Sequence, residues 1–187
     1  MSKIIIGLVG EIASGKDVTK KYLELNYGAN CHRFSTILRD ILNRLYLPIE
    51  RSNMQEISTL LRQKFGEDLL AKIITEDVKN DPREIVVVDG IRRAADMVYL
   101  RQLPGFNLIS IAVDSKLRYA RLVKRKENAD DATKTYEQFL ADGQKETELE
   151  IPQVMASADY QINNNGSLKE LYAQIEKIMI ELEKKYV

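Results

Sequence analysis

Gly10-Glu11-Ile12-Ala13-Ser14-Gly15-Lys16-Asp17 places a lysine directly after the second of two glycines spaced five apart. The pattern is G-x-x-x-x-G-K, with Asp17 where a serine or threonine usually follows. Permissive backbone of this kind lets successive N–H groups turn inward around a phosphate. A helix N-terminus behind the loop adds partial positive charge, and the lysine ammonium reaches the outer phosphates as a mobile point charge. An apolar run precedes the motif and a helical pattern follows it, so Gly10 through Val18 is expected to hold a nucleotide's phosphates. Asp17 keeps a hard oxygen where the hydroxyl would ligate Mg2+, directly or through water. The plainer alternative for Asp17 is an acidic residue favoured by the helix dipole alone. Thr19, two residues on, points to another side of the helix and is a poor substitute.

Other residues fall where they would complete that chemistry. Asp89 ends a second apolar run and is placed to manage Mg2+ or orient an attacking oxygen. Gly90 lets backbone approach a ligand, and Arg92 can fork onto an acceptor phosphate. Arg118, Arg121 and Arg125 are spaced by three and four and share one helix face. Cations on a closing lid neutralise a transferring phosphoryl group, so residues 118–135 are expected to form that lid, with the polar stretch 126–133 at its tip. Arg39 and Arg62 are further candidates for gripping an acceptor, against a plain role in surface ion pairs. Asn165 and Gly166, in the Asn163-Asn164-Asn165-Gly166 turn, are candidates for touching the nucleotide's base. Cys31 and His32 adjoin but lack partners at metal-ligand spacing.

The elements that must position these groups alternate. Strands are expected at Ile4–Val9, 85–88, 107–113 and 158–162, with a fifth around 29–34. Helices are expected at 18–25, 36–45, 54–65, 69–78, 93–102, 116–125 and 168–185. The alternation predicts a single α/β domain, a parallel sheet of about five strands between helical layers. Ligands of such sheets bind beyond the strands' carboxyl ends.

Composition narrows the function. Twenty-eight Lys+Arg balance 28 Asp+Glu in 187 residues, which argues against a protein that coats DNA or RNA. One cysteine excludes an internal disulfide framework and a multi-cysteine zinc site. No apolar run has the length of a membrane span. The expectation is a soluble cytoplasmic protein without nucleic-acid or membrane partners.

The loop Gly10–Lys16, Asp89-Gly90-Ile91-Arg92, the lid arginines and Ala158-Asp159-Tyr160 with Asn165-Gly166 resemble P-loop kinases of the nucleoside monophosphate kinase type. They are most similar to uncharacterised archaeal-type nucleotide kinases labelled dephospho-CoA kinase-like. Within that group, Gly15-Lys16-Asp17 and the stretch from Asn53 to Asp68 are similar to deoxynucleoside monophosphate kinases. The last-strand pattern is similar to dephospho-CoA kinases. Those enzymes carry an Asp-Ala-Asp run where this chain has Cys31-His32-Arg33-Phe34-Ser35. The resemblance implies a P-loop three-layer sandwich, ATP with Mg2+, a helical acceptor-binding insertion at 34–80 and an arginine lid. It also implies transfer of the γ-phosphoryl to a nucleotide-like acceptor, a (deoxy)nucleoside monophosphate before dephospho-CoA. In this scheme Lys16, Asp89, Arg121 and Arg125 are catalytic, and Gly10–Val18, Arg118, Asn165 and Gly166 hold the nucleotide. Arg39, Arg62 and Arg92 hold the acceptor, and Asp17 and Asp89 hold the metal. The alternative outside this scheme is a nucleotide-binding regulatory protein with slow hydrolysis.

Overall fold

Ile4–Val9 forms strand β1, buried from end to end because both faces of it are covered. The computed structural model describes residues 3–125, 134–144 and 148–186. In chain order β1 is followed by α1 (Lys16–Tyr27), β2 (Asn30–Arg33), α2 (Phe34–Arg44), α3 (Arg51–Phe65), α4 (Leu69–Asn80) and β3 (Ile85–Asp89). Then come β4 (Phe106–Ala112), α5 (Ser115–Arg125), α6 (Tyr136–Asp142), α7 (Ile151–Ala156), β5 (Tyr160–Asn163) and α8 (Leu168–Tyr186). The five strands pair in parallel in the order β2-β3-β1-β4-β5. All five carboxyl ends therefore share one edge of the sheet.

The alternation of side chains along β1 assigns its residues to two cores. Ile4, Ile6 and Leu8 pack with Leu23 of α1 and Leu171, Ile175, Met179 and Leu182 of α8. Ile5 and Val9 face the opposite layer, with Phe34 and Leu38 of α2, Ile74 and Val78 of α4, and Val154 of α7. Helix α3 joins that second layer only through the half-buried Met54, Ile57 and Leu61. None of its residues with a described side chain is fully buried.

Three stretches depart from the helical pattern, among them α7 (Ile151–Ala156), which no expected helix covers. The helix expected over 93–102 is instead two short 3-10 turns, Ala94–Met97 and Leu100–Gln102. The Asp96 carboxylate accepts the N–H groups of Arg92 and Arg93, at 3.0 and 3.1 Å. That local bond offers the backbone a tight turn in place of a longer helix. Helix α6 was not expected, although Thr135 and Gln138 carry its signal. Thr135 Oγ1 accepts from the Gln138 N–H and the Gln138 side chain accepts from the Thr135 N–H, a reciprocal cap.

Candidate active site

The loop between β1 and α1 is built around two close approaches. A side chain at Gly10 would meet the Ile111 carbonyl at 2.8 Å. Gly15 has φ +106°, and a side chain there would run into the Asn164 amide. Ala13 also lies in the left-handed region, at φ +60°. The two left-handed residues bracket Ser14, an alternation that turns neighbouring N–H groups toward one point. No side chain caps the N-terminus of α1, so its first-turn N–H groups face the same space.

Lys16 folds back over the loop and donates from Nζ to the carbonyls of Gly10 (2.6 Å) and Glu11 (3.1 Å). Burial pushes its pKa down, against the pull of Asp89 and then Asp17. An ammonium in that state is poorly solvated and gains from meeting an anion. Asn164, at the end of β5, donates to the Ser14 carbonyl at 2.8 Å and pins the loop from behind. Arg121 of α5 donates to the Asn164 carbonyl at 2.9 Å. Its other terminal nitrogen, like the Ser14 hydroxyl, is buried without a hydrogen-bond partner among the described residues.

The two carboxylates expected at the metal position converge. Asp89 is buried at the end of β3, and Asp17 is exposed in the first turn of α1. One terminal nitrogen of Arg33 lies 2.6 Å from Asp89 Oδ2 and 2.9 Å from Asp17 Oδ1, and Arg33 Nε lies 2.8 Å from Asp89 Oδ2. Lys20 Nζ stands 3.2 Å from Asp17 and 3.7 Å from Asp89. Desolvation would raise the Asp17 carboxyl, but the Lys20 hydrogen bond and charge, then Arg33 and Lys16, outweigh it and hold the pKa low. Carboxylate oxygens within reach of a single nitrogen fit a hard divalent ion whose remaining ligands come from phosphate or water. Among the described residues no group of three or more His, Cys, Asp or Glu could hold such an ion alone.

The arginines divide by partner. Arg118 is buried, donates to Glu11 Oε1 at 2.8 Å and to the Ile12 carbonyl at 3.4 Å, and lies over the Phe139 ring. It thus braces the loop against α6. Arg92 meets Glu148 at 2.7 Å. Arg62 and Arg93 share the exposed Glu67 carboxylate at 3.7 and 4.0 Å, which ties the end of α3 to the loop after β3. Arg39 is exposed on α2, and no ion pair joins it to that group among the described residues. Asn165 Oδ1 accepts the Asp114 N–H at 2.8 Å, joining the loops after β4 and β5; Gly166 beside it is exposed. Val18 is exposed on α1, and Thr19 is fully buried in the inner face of that helix. The Arg125 side chain and the expected lid tip at 126–133 lie outside the described residues. Burial pushes the Cys31 thiol up to about 12, so it is a protonated thiol at neutral pH.

No family model matches the chain. A UPF0200 protein of Methanoregula boonei is 30% identical over 181 residues, covering 96% of this chain and 98% of that one. The chain belongs to the UPF0200 family. A further UPF0200 protein, from Methanothermobacter thermautotrophicus, is 26% identical over 187 residues, covering 99% of this chain and 94% of its own. Among solved structures, the shikimate kinase of Bacteroides thetaiotaomicron superposes with a TM-score of 0.64 at 14% identity, over 96% of this chain and 98% of that one. The shikimate kinase of Acinetobacter baumannii gives a TM-score of 0.58 at 14% identity, over 98% and 95%. The UPF0200 fold is thus a P-loop kinase fold: a five-stranded parallel sheet between helical layers, with the loop Gly10–Lys16 at its carboxyl edge.

Several residues that the fold gathers around the loop carry little signal in the sequence. Arg33 and Lys20 were passed over because neither sits in a motif. For Arg33 the only sequence signal was its place at the end of an uncertain edge strand. Asn164 was treated as part of a turn, with Asn165 favoured; its role depends on the Ser14 carbonyl, 150 residues away. Glu148 and Arg93 needed the fold to bring them to Arg92 and Arg62.

Proposed function

We propose that the chain is a small-molecule phosphotransferase that moves the γ-phosphoryl of ATP onto a nucleotide-like acceptor, a nucleoside monophosphate in the first instance. The observation that carries this reading is the pairing of an inward-turned loop with cations that have no ion-pair contact among the described residues. Among the described residues, the Lys16 ammonium hydrogen-bonds only to carbonyls, and one Arg121 nitrogen is buried with no acceptor beside the loop's Asn164 brace. A polyphosphate tail would supply oxygens to both.

Phosphoryl transfer of this kind is mostly positioning and charge stabilisation and requires no protein nucleophile. The loop amides and Lys16 would hold the donor's outer phosphates. Arg121, with Arg125 one helical turn on, would stabilise the charge that develops on the transferring group. Arg62, Arg92 and Arg39 would orient the acceptor, with Arg93 joined to Arg62 through Glu67. Asp17 and Asp89 would hold Mg2+, which supplies charge neutralisation on the donor phosphates. Asn165 and Gly166 would line the base side.

One observation favours a second acceptor class. Glu148 lies on Arg92 and is among the charges felt by Lys16, so a carboxylate reaches the acceptor side. An acceptor hydroxyl tolerates that neighbour better than an acceptor phosphate does. This supports a dephospho-CoA kinase-like activity as the runner-up.

ADP release measured with ATP, Mg2+ and a panel of nucleoside monophosphates, deoxynucleoside monophosphates and dephospho-CoA separates these outcomes. Release that depends on a monophosphate supports the first reading, and release that depends on dephospho-CoA supports the second. Release without any acceptor would replace both with a slow nucleotide hydrolase.

A further inference from the structure

The register of β2 on β3 sets Arg33 directly beside Asp89, at the carboxyl ends of neighbouring parallel strands. The guanidinium then spans to Asp17 on the first turn of α1, so a single side chain closes the gap between the two carboxylates. Lys20 adds a second positive charge to the same pair. The two carboxylates are already met by the Arg33 guanidinium and the Lys20 ammonium, and Lys16 adds a third positive charge acting on both, so their charge is fully countered without any ion.

We propose that Arg33 is an internal counter-ion that closes the Asp17–Asp89 pair to free divalent cations, so that the metal enters this site only in company with a polyphosphate. The proposal rests on the reading of Asp17 and Asp89 as metal-holding residues. A dication arriving alone would have to break the guanidinium's three short contacts and then sit against two displaced positive charges. Arriving with a nucleotide's phosphates, it brings its own negative charge, and the cations of the cluster then face an anion instead. The site would therefore be assembled by its substrate, with Arg33 released toward the phosphates as the metal takes the carboxylates. Arg33 is thus a positioning residue, distinct from the lid arginines.

The test is Mn2+ binding to the full chain without nucleotide, read from loss of the free-ion signal in electron paramagnetic resonance. Wild type should bind no stoichiometric ion at this site. Arg33→Gln should bind one, with affinity raised about tenfold or more over wild type. Arg33→Lys, which keeps the charge, should stay closed. Adding Asp89→Asn to Arg33→Gln should abolish the gain. Should Arg33→Gln fail to fold by circular dichroism, Arg33→Met, which keeps the apolar stem, replaces it. A merely structural tie between β2 and β3 would lower thermal stability in Arg33→Gln without raising Mn2+ affinity, and that result overturns the proposal. So does a gain that survives Asp89→Asn, or tight Mn2+ binding by wild type. Titrating wild type with a fluorescent ATP analogue and Mg2+ reads the kinase reading separately: absence of binding there sinks that reading, while the Mn2+ series alone decides the role of Arg33.

Discussion

The phosphate-loop side of this molecule and the side that carries α3, which the proposed function reads as donor and acceptor sides, are built to different tolerances. Around the phosphate loop, contacts are short and Asp89 and Asn164 are buried: Lys16 to the Gly10 carbonyl at 2.6 Å, Arg33 to Asp89 at 2.6 Å, Asn164 to the Ser14 carbonyl at 2.8 Å. On the acceptor side, α3 rests on half-buried Met54, Ile57 and Leu61, and Arg62 and Arg93 reach Glu67 only at 3.7 and 4.0 Å. Apolar side chains there face solvent, Tyr46 at 88% exposure and Phe65 at 62%. The contrast suggests a division of labour. A donor shared by many reactions is met by a pre-formed cradle, which costs little reorganisation at the moment of transfer. Under the proposed function the acceptor would be met by the loosely seated α3, which would have to close on it.

The largest expected effect breaks the donor half. Lys16→Ala should lower kcat/KM by about 10³ or more with the fold retained, as seen by circular dichroism; near-normal turnover would remove the cradle from the mechanism. Asn164→Ala leaves the buried Ser14 carbonyl without its donor, an effect of roughly 1–3 kcal/mol. It should weaken ATP binding by about tenfold or more while leaving the acceptor KM alone. On the acceptor side the pattern should invert. Arg62→Ala should raise the acceptor KM by about tenfold, with the affinity for ATP unchanged in a direct titration. If both variants move both constants together, the two halves are not separable.

The smallest effect concerns the foundation under the acceptor helices. Asp81, just after α4, accepts from Asn30 and Arg83 and meets His32 at 2.6 Å. Burial would raise its carboxyl, but the Arg83 N–H, then His32 and Asn30, outweigh it and hold the pKa below the usual range. A carboxylate depressed in the folded state contributes stability that is complete above its unfolded value, about 4, and lost as pH falls through the folded value. The urea midpoint of wild type should therefore fall on acidification below about pH 4–5, and that of Asp81→Asn should fall less.

The same contrast explains what the sequence made legible. The phosphate loop is contiguous, and the pattern that marks it is local: a glycine where φ is positive, a lysine after it, a strand before and a helix behind. Strand β1 and helix α8 were equally plain, since long apolar periodicities leave little ambiguity. Arg33 and Asn164 were invisible for the opposite reason. Each acts on a group brought near by sheet pairing, and neither the register of β2 on β3 nor the approach of β5 to the loop is written in local pattern. Over 93–102 a helix was expected from the strand–helix alternation, but Asp96 captured two backbone N–H groups and the chain turned instead.

The central claim is that a main-chain cradle and one ammonium group hold a nucleotide polyphosphate. Isothermal titration of the full chain with ATP and Mg2+ tests it most directly. The expected result is one saturable site per chain that is lost in Lys16→Ala; no heat from any purine triphosphate, with the protein folded and Mg2+ present, would contradict it.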